Sequence, residues 1–250
     1  MLLKTEAIVL RSFAYTDGRL ISEMLCRDGG RMSFGVSVGR GGGRPSRGGQ
    51  RRQLLQPLTL LELECDVRPS AGLQRVREMR LAHAYVRMPF DEGRLAQALF
   101  AAEFLLHATR GEQQGGALFD YVSASLLWLD QAPAGSATAN WHLVFMMRLS
   151  RLLGFYPNLS RDDGERWFDL RGSCFCSAPP PHHDYLAPQE ADRIGLLMRM
   201  DYATMHLFHM TRAERNRCVE ILLAYYRLHL PQFPELQSLD VLRQLSGHGA

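Results

Sequence analysis

The stretch LISEMLCRDGGRMSFGVSV, residues 20–38, decides the fold of this chain. Its second half alternates apolar with small residues, which is the period of a β-strand with one buried face: Met32, Ser33, Phe34, Gly35, Val36, Ser37, Val38. The turn residues Asp28-Gly29-Gly30 join this strand to an apolar strand at residues 20–25. The stretch therefore predicts a β-hairpin, and Phe34 is expected to belong to a core.

Similar patterns on both sides extend the hairpin into a small sheet. Further strands are predicted at residues 7–10, 58–66 and 73–80, and Thr16-Asp17-Gly18 forms a turn before residue 20. Five short strands with one long loop favour a closed or partly open barrel such as the OB-fold, with a sandwich as the alternative. We therefore predict an α+β protein, in which an N-terminal OB-fold barrel spans residues 1–80.

Residues 81–250 change to the period of helices and are predicted to form a mostly α-helical domain. Leu95, Leu99, Ala102 and Leu106 are spaced as one apolar stripe on a helix. Pro188 is suited to the first residue of another helix, and Thr211 with Glu214 indicates a capping box. Glycines and a run of three prolines predict an irregular, loop-rich insert at about residues 155–187.

Composition narrows the class of protein. The chain has 250 residues, of which 46% are hydrophobic, and a net charge of +3. No apolar run approaches the roughly 18 residues of a membrane span, and the five scattered cysteines do not resemble a disulfide framework. We therefore expect a cytoplasmic protein. Residues 1–80 hold fourteen Lys and Arg against eight Asp and Glu, whereas residues 81–250 hold fifteen Lys and Arg against eighteen Asp and Glu. The basic surface is therefore expected on the N-terminal 80 residues.

The segment GRGGGRPSRGGQRR, residues 39–52, is the strongest candidate for a binding site. It is rich in glycine, has no acidic residue and contains five arginines: Arg40, Arg44, Arg47, Arg51 and Arg52. Guanidinium groups without acidic partners attract phosphates, so this loop beside a barrel strand favours nucleic acid. The alternative is a solvated loop that contributes only to solubility. A P-loop is excluded because the Gly-Lys-Ser/Thr ending is absent.

Four residues near the strand ends extend this candidate site: Lys4, Arg11, Tyr15 and Arg19. Tyr15 lies near a turn beside Arg19, where an aromatic ring can stack on a base. Phe13 is a similar candidate. For these residues, packing at the edge of the core or on a solvated strand face remains the alternative.

A candidate zinc site is formed by residue types that bind zinc in proteins, two cysteines followed by two histidines: Cys174, Cys176, His182 and His183. Structural zinc sites usually separate paired cysteines by two to four residues, and here one residue intervenes, so we predict no metal. Cys174 has no base that the sequence can assign to it, and no dinucleotide or serine-nucleophile motif occurs. We therefore predict a protein that is not an enzyme, with a cysteine or metal hydrolase centred on Cys174, Cys176 and His182 as a weaker alternative.

Three segments together resemble one family. KTEAIVLRSFAYTDGRLISEML (residues 4–25), GRMSFGVSVGRGGG (residues 30–43) and LLQPLTLLELE (residues 54–64) occur in the order and spacing of the bacterial RecO recombination mediators. LSRLLGFYPNL, residues 149–159, resembles the RecO helix that precedes a variable insert. Many RecO proteins carry a four-cysteine zinc element there, whereas this chain retains only Cys174 and Cys176, so zinc is not carried over.

The resemblance implies an OB-fold, a helical domain and a function. Expected activities are binding of single- and double-stranded DNA, annealing of complementary strands without a nucleotide cofactor, and a role in DNA repair and recombination near the bacterial nucleoid. Expected partners are RecR, RecA and the single-stranded DNA-binding protein (SSB). A remaining alternative of another class is an RNA-binding OB module, which would share the basic loop and the barrel.

Overall fold

The computed structural model describes residues 1–38, 47–68, 71–113, 115–133, 138–160, 162 and 164–245. Five N-terminal strands close into a barrel in the order β1-β2-β3-β5-β4. They are β1 (Leu2–Thr16), β2 (Arg19–Cys26), β3 (Gly30–Ser37), β4 (Leu60–Asp66) and β5 (Gln74–His83). The barrel is followed by helices, which confirms the predicted α+β class with an N-terminal OB-like barrel.

The predicted hairpins set the register of the first three strands. Met24 pairs with Met32, and Leu20 pairs with Val36, across antiparallel β2 and β3. The turns contain glycines with positive φ: 75° at Gly18, and 120° and 66° at Gly29 and Gly30. Only glycine adopts such angles at little cost, so these turns bring the strand ends together. β1 is longer than predicted because it continues along β4 as well as β2.

Alternate residues of the strands fill the barrel interior. Phe34 and Val36 are 0% and 1% exposed, as predicted, and they share one core with Ala7, Val9 and Met24. Since successive side chains of a strand point to opposite sides, the residues between them face outward. The barrel therefore has a well-defined outer face on β1, β2 and β3.

Seven helices are described: α1 (Arg47–Leu54), α2 (Glu92–Ala108), α3 (Gly116–Gln131), α4 (Trp141–Leu152), α5 (Pro188–Arg199), α6 (Arg212–His229) and α7 (Ser238–Leu245). The predicted helix starts are confirmed. Pro188 opens α5, and Thr211 and Glu214 form a reciprocal capping box at α6.

Helix α1 corrects the expectation that residues 39–52 form a loop throughout. The chain becomes helical at Arg47. Gln50, Arg51 and Arg52 have good helix propensity, and Leu55, which follows the helix, is buried in the barrel core. Burial of this leucine fixes the end of the helix against the barrel.

Two other regions differ from the sequence pattern. In α2, Leu95 and Leu99 are 41% and 46% exposed, whereas Phe100 and Phe104 are fully buried. The helix is apolar on most sides, so its spacing allowed more than one buried face. The insert predicted to be irregular contains a three-stranded sheet in the order β7-β6-β8, with β6 (Trp167–Asp169), β7 (Cys174–Cys176) and β8 (Tyr185–Leu186).

The chain divides into two compact units. One contains residues 1–91 and 98–130, and the other contains residues 92–97 and 131–250. The proposed boundary of a barrel domain at residue 80 stays a prediction. Among the described residues, no helix has both the length and the apolar character needed to cross a membrane.

Candidate nucleic-acid interface

A cavity of about 890 Å³ opens on the outer side of the barrel and is the main candidate site. Its lining includes parts of β2, β3 and β5, the end of β1 and helix α1. We call this cavity the cleft. The residues that matter below are four arginines, one aspartate and a group with apolar or aromatic side chains: Arg19, Arg51, Arg75, Arg77, Asp66, Tyr15, Ile21 and Leu73.

Strand pairing brings the central residues of the cleft into line. Ile21 pairs with Gly35, and Gly35 pairs with Arg75, which gives one row of lining residues across β2, β3 and β5. The row continues onto β1 at Phe13, which pairs with Ile21 but is not part of the lining. Neighbouring strands are about 4.8 Å apart, so this row spans on the order of 14 Å. In OB-folds, the face of the second and third strands is a common location for oligonucleotides.

The arginines of the cleft are not equally neutralised. Among the described residues, no carboxylate lies within ion-pair distance of Arg19, Arg51 or Arg75. Arg51 donates a hydrogen bond to the backbone carbonyl of Ser37 at 3.4 Å. The cleft therefore presents positive charge that is available to an anion.

Arg77 is the exception, because its Nε lies 2.8 Å from Oδ2 of Asp66. This hydrogen bond lowers the pKa of Asp66, and the charges of Arg77 and Arg75 lower it further. Asp66 therefore stays ionised at neutral pH. It is the one carboxylate among the residues described as lining the cleft.

The floor of the cleft is apolar. A Cβ atom at Gly35 would lie 3.2 Å from Cδ2 of Leu73, so the absence of a side chain at position 35 lets Leu73 lie against β3. Leu73 remains 43% exposed, and Ile21 is half-buried beside it in the lining. An apolar floor with a cationic rim suits the two parts of a nucleotide. The base has a flat face that can lie on apolar side chains, and the phosphate is an anion that arginines can bind.

Three of the residues predicted from sequence lie in the cleft. They are Tyr15, Arg19 and Arg51, and the Tyr15 side chain is 64% exposed. Arg52 is exposed on α1 and is not part of the lining. Arg40 and Arg44 lie outside the described residues, and so does the side chain of Arg47.

Arg11 is placed on the outer face of β1 in an ion pair. Its Nε donates to Oε1 of Glu23 at 2.9 Å, and its guanidinium lies 5.3 Å from the centre of the Phe13 ring. Glu23 is also paired with Arg31. Burial alone would raise the pKa of Glu23, but the hydrogen bonds from Arg31 and Arg11 lower it below its usual value. Arg11 is thus a partly neutralised cation.

Lys4 is placed in a different cavity, of about 470 Å³, which we call the acid-lined cavity. Its lining has more carboxylates than cations: Glu6, Asp28, Glu62, Glu64 and Glu78 against Lys4, Arg27 and Arg80. The amine of Lys4 lies 3.4 Å from Glu64. The structure therefore does not bring Lys4 together with Arg19, Arg51 and Tyr15.

Sequence reasoning missed Arg75, Arg77 and Leu73, although a strand was predicted there. The signal was the alternation of exposed Arg75 and Arg77 with buried Val76, which points two cations to one side of β5. What the alternation could not indicate is that β5 pairs with β3 at Gly35. That pairing places the two arginines beside β2 and β3.

The cysteines of the insert show no catalytic arrangement in the part of the chain that the structure describes. Cys176 lies 3.7 Å from the carbonyl of Trp167, and burial raises the pKa of its thiol, which disfavours the reactive thiolate. His182 contacts Asp169 at 3.4 Å and accepts from the backbone of Asp184, rather than from a cysteine. No group of three or more potential metal ligands is found within the described ranges.

Comparison with known proteins identifies the family. The family model "Recombination protein O N terminal" matches residues 1–85, and "Recombination protein O C terminal" matches residues 89–239. Curated relatives named DNA repair protein RecO are 46% identical in Phocaeicola vulgatus and in Bacteroides fragilis, over 98% of this chain and 99% of each relative. The RecO of Porphyromonas gingivalis is 33% identical over the same shares.

These matches cover nearly the whole chain and include both the N-terminal and the C-terminal family model. The OB-like barrel and the helices that follow agree with them. The chain belongs to the RecO family, whose curated members are named DNA repair proteins.

Proposed function

We propose that this chain is a DNA repair and recombination mediator. It binds single- and double-stranded DNA, anneals complementary strands and helps to load RecA onto single strands coated by SSB. The observation that supports this proposal is the cleft, in which Arg19, Arg51 and Arg75 surround an apolar floor on the face of β2 and β3. Membership of the RecO family is consistent with it.

The cleft suits the backbone of DNA. Guanidinium groups form charge-assisted, often bidentate hydrogen bonds with phosphate oxygens. Three arginines without a described carboxylate partner need to break no ion pair before they bind. We further propose that Arg40, Arg44, Arg47 and Arg52 extend this surface, because they belong to the same basic segment as Arg51, residues 39–52.

Annealing follows from charge neutralisation. Two complementary strands repel each other through their phosphates, and cations that bind both strands reduce this repulsion. Base pairing then supplies the sequence specificity. In this mechanism the reaction requires no hydrolysis of a nucleotide and no catalytic side chain.

Three protein partners complete the proposal: RecR, RecA and SSB. The predicted place of action is the cytoplasm, close to the nucleoid. The barrel is assigned to DNA, and the net acidic residues 81–250 are assigned to protein contacts, since an acidic surface repels DNA.

The test is annealing of two complementary oligonucleotides without ATP. The variant Arg19→Gln, Arg51→Gln, Arg75→Gln removes the unpaired cations of the cleft. We expect annealing to slow strongly and single-strand affinity to fall. The slope of log affinity against log salt should decrease by about 2, because each phosphate contact contributes about 0.7 for single strands.

The matched control is Lys4→Gln, Arg27→Gln, Arg80→Gln, which removes three cations from the acid-lined cavity. It changes the net charge equally, so a general charge effect would weaken both variants alike. Equal loss in both would contradict the cleft as the DNA site. Tighter binding of RNA than of DNA of the same sequence at one salt concentration would favour the RNA-binding alternative.

A further inference from the structure

The hydroxyl groups of two serines connect the barrel to the end of helix α1. Ser12 on β1 pairs with Ser22 on β2, and their Oγ atoms lie 2.9 Å apart. The Oγ of Ser12 also lies 2.9 Å from the carbonyl oxygen of Leu55, the residue that follows α1. Strands β1 and β2 are therefore joined to the helix end by side-chain hydrogen bonds.

The direction of these hydrogen bonds follows from the number of protons. A carbonyl oxygen can only accept, so Ser12 donates to Leu55. Each hydroxyl carries one proton, so in the contact between the two serines Ser22 donates to Ser12. The other acceptor beside Ser22, the carbonyl of Arg11, is farther away at 3.5 Å. Ser22 thus orients the hydroxyl of Ser12 toward the helix.

Packing alone does not account for a hydroxyl at position 22. Ser22 is 0% exposed, and a buried polar group costs free energy unless it is hydrogen-bonded. An alanine would fill nearly the same volume without that requirement. The carbonyl groups at a helix end, in turn, lack partners inside the helix. The pair of serines satisfies both needs, which points to a role in holding α1.

Helix α1 carries Arg51, which lines the cleft. The hydrogen bond that Arg51 donates to the carbonyl of Ser37 is long, at 3.4 Å, so it fixes the arginine only weakly. Leu54 and Leu55 pack against the barrel core, but apolar contacts are not directional and allow the helix to turn. The directional hydrogen bond from Ser12, about one helical turn after Arg51, therefore decides where the arginine points.

We propose that Ser12 is a positioning residue for DNA binding, which holds α1 so that Arg51 faces the cleft. This inference rests on the proposed function, because it adds a residue to the machinery of the same site. Ser12 is not part of the cleft lining, so it acts on DNA through the helix. A cation that is already in place binds a phosphate with a smaller loss of conformational freedom. Ser22 supports Ser12 in this role.

The experiment compares Ser12→Ala with wild type in the full-length protein by two measurements. Hydrogen exchange of the backbone amides in residues 50–55 reports how firmly the end of α1 is held, without DNA. Fluorescence anisotropy with an oligothymidine of about 12 nucleotides reports affinity. We expect Ser12→Ala to exchange faster in this segment and to bind about fivefold more weakly, because one hydrogen bond is lost.

The decisive comparison uses Arg51→Gln as a second background. If Ser12 acts through Arg51, Ser12→Ala lowers the affinity of wild type but has no further effect on Arg51→Gln. A serine with a merely structural role would weaken both backgrounds by the same factor. Ser12→Thr keeps the hydroxyl and should restore slow exchange and full affinity.

The matched control is Ser33→Ala. Ser33 is a half-buried serine of β3 outside the cleft lining, and within the described ranges its hydroxyl has no hydrogen bond to Leu55. This variant should keep the exchange rate and the affinity of wild type. All affinities are measured well below the melting temperature of each variant, so that a loss does not come from unfolding.

The outcomes separate this inference from the proposed function. The inference is wrong if Ser12→Ala leaves either the exchange or the affinity as in wild type, or if it lowers affinity by the same factor in both backgrounds. The proposed function fails in a different way. If Arg19→Gln, Arg51→Gln and Arg75→Gln together leave the affinity unchanged, the cleft is not the DNA site, even where faster exchange in Ser12→Ala shows that the serine holds the helix.

Discussion

The cleft and the acid-lined cavity lie on the same barrel and use the same residue types, yet their charges are arranged oppositely. β5 contributes Arg75 and Arg77 to the cleft, and Glu78 and Arg80 to the acid-lined cavity. In the cleft, Arg75 has no described carboxylate partner, whereas Arg80 lies 2.8 Å from Glu78. The difference teaches that a cation's neighbours across the sheet, rather than its place in a basic sequence, decide whether its charge is available to an anionic ligand.

The energetic reason is competition. An exposed ion pair contributes only about 0–1 kcal/mol to stability, but its carboxylate also repels an incoming phosphate. In the acid-lined cavity, Lys4 is paired with Glu64, and Arg27 is paired with Glu6 at 2.8 Å. A phosphate would meet five carboxylates there and one in the cleft.

Charge reversal on β5 should give the largest difference in DNA affinity between a change in the cleft and the same change in the acid-lined cavity. Arg75→Glu removes a phosphate contact and adds repulsion, so we expect affinity for single strands to fall about a hundredfold. Arg80→Glu makes the same change in the acid-lined cavity and should lower affinity by less than about threefold. Salt titration of both variants by fluorescence anisotropy measures this. Similar losses in both would show that the two faces do not differ toward DNA.

A third arrangement of charges occurs at Glu23, where Arg11 and Arg31 are paired with one carboxylate. Glu23→Gln should lower the free energy of unfolding by about 2 kcal/mol at pH 7, because charge-assisted hydrogen bonds to a mostly buried group are lost. The pKa of Glu23 is lowered in the folded state, so its stabilisation is present above the unfolded pKa of about 4.3 and is lost as pH falls through the folded pKa.

Urea denaturation from pH 7 to pH 3 measures this effect. Wild type should lose more stability over that range than Glu23→Gln, and the two curves should approach each other at the acid end. Arg11→Gln serves as a control that leaves the pair of Glu23 with Arg31 intact. Parallel curves for wild type and Glu23→Gln would contradict the assignment.

Removal of the single carboxylate should make the cleft more strongly cationic. Asp66→Asn frees Arg77 from its ion pair, and we expect affinity for single strands to rise about threefold at low salt. The slope against salt should become steeper, because one more cation contacts phosphate. Unchanged affinity and slope would mean that Arg77 does not reach DNA.

The smallest effect is expected in the acid-lined cavity. Glu62→Gln removes one negative charge from its lining and should change DNA affinity by less than about twofold at physiological salt, since charges beyond about 8 Å are screened. The same titration with Glu62→Gln and Asp66→Asn compares one neutralised carboxylate on each face. A larger gain from Glu62→Gln would place DNA on the acid-lined side.

Local sequence predicted the elements that depend on neighbours in the chain. The alternation from Met32 to Val38 and the turn glycines specified a hairpin, because side-chain period and positive φ are local properties. The capping box of Thr211 and Glu214 is another such case. By contrast, the exposure of Leu95 in α2 was not predicted, since an almost wholly apolar helix has no single face marked for burial.

The site was predicted only in part, and the reason is the pairing of distant strands. Tyr15, Arg19 and Arg51 could be selected because they flank a turn or lie in a basic segment. Arg75 and Leu73 reach the same cleft because β5 pairs with β3, which joins residues about forty positions apart. Lys4 was grouped with the other cations by sequence, yet the β1–β4 register sets it opposite Glu64.

The sequence by itself thus determined a barrel of short strands, the helix starts and a surplus of arginine in the first third of the chain. Only the tertiary structure decided which of those arginines lie among carboxylates and which surround an apolar floor. The physical reason is that charge and hydrophobicity belong to single residues, whereas electrostatic neutralisation and concavity arise from residues that strand register brings together.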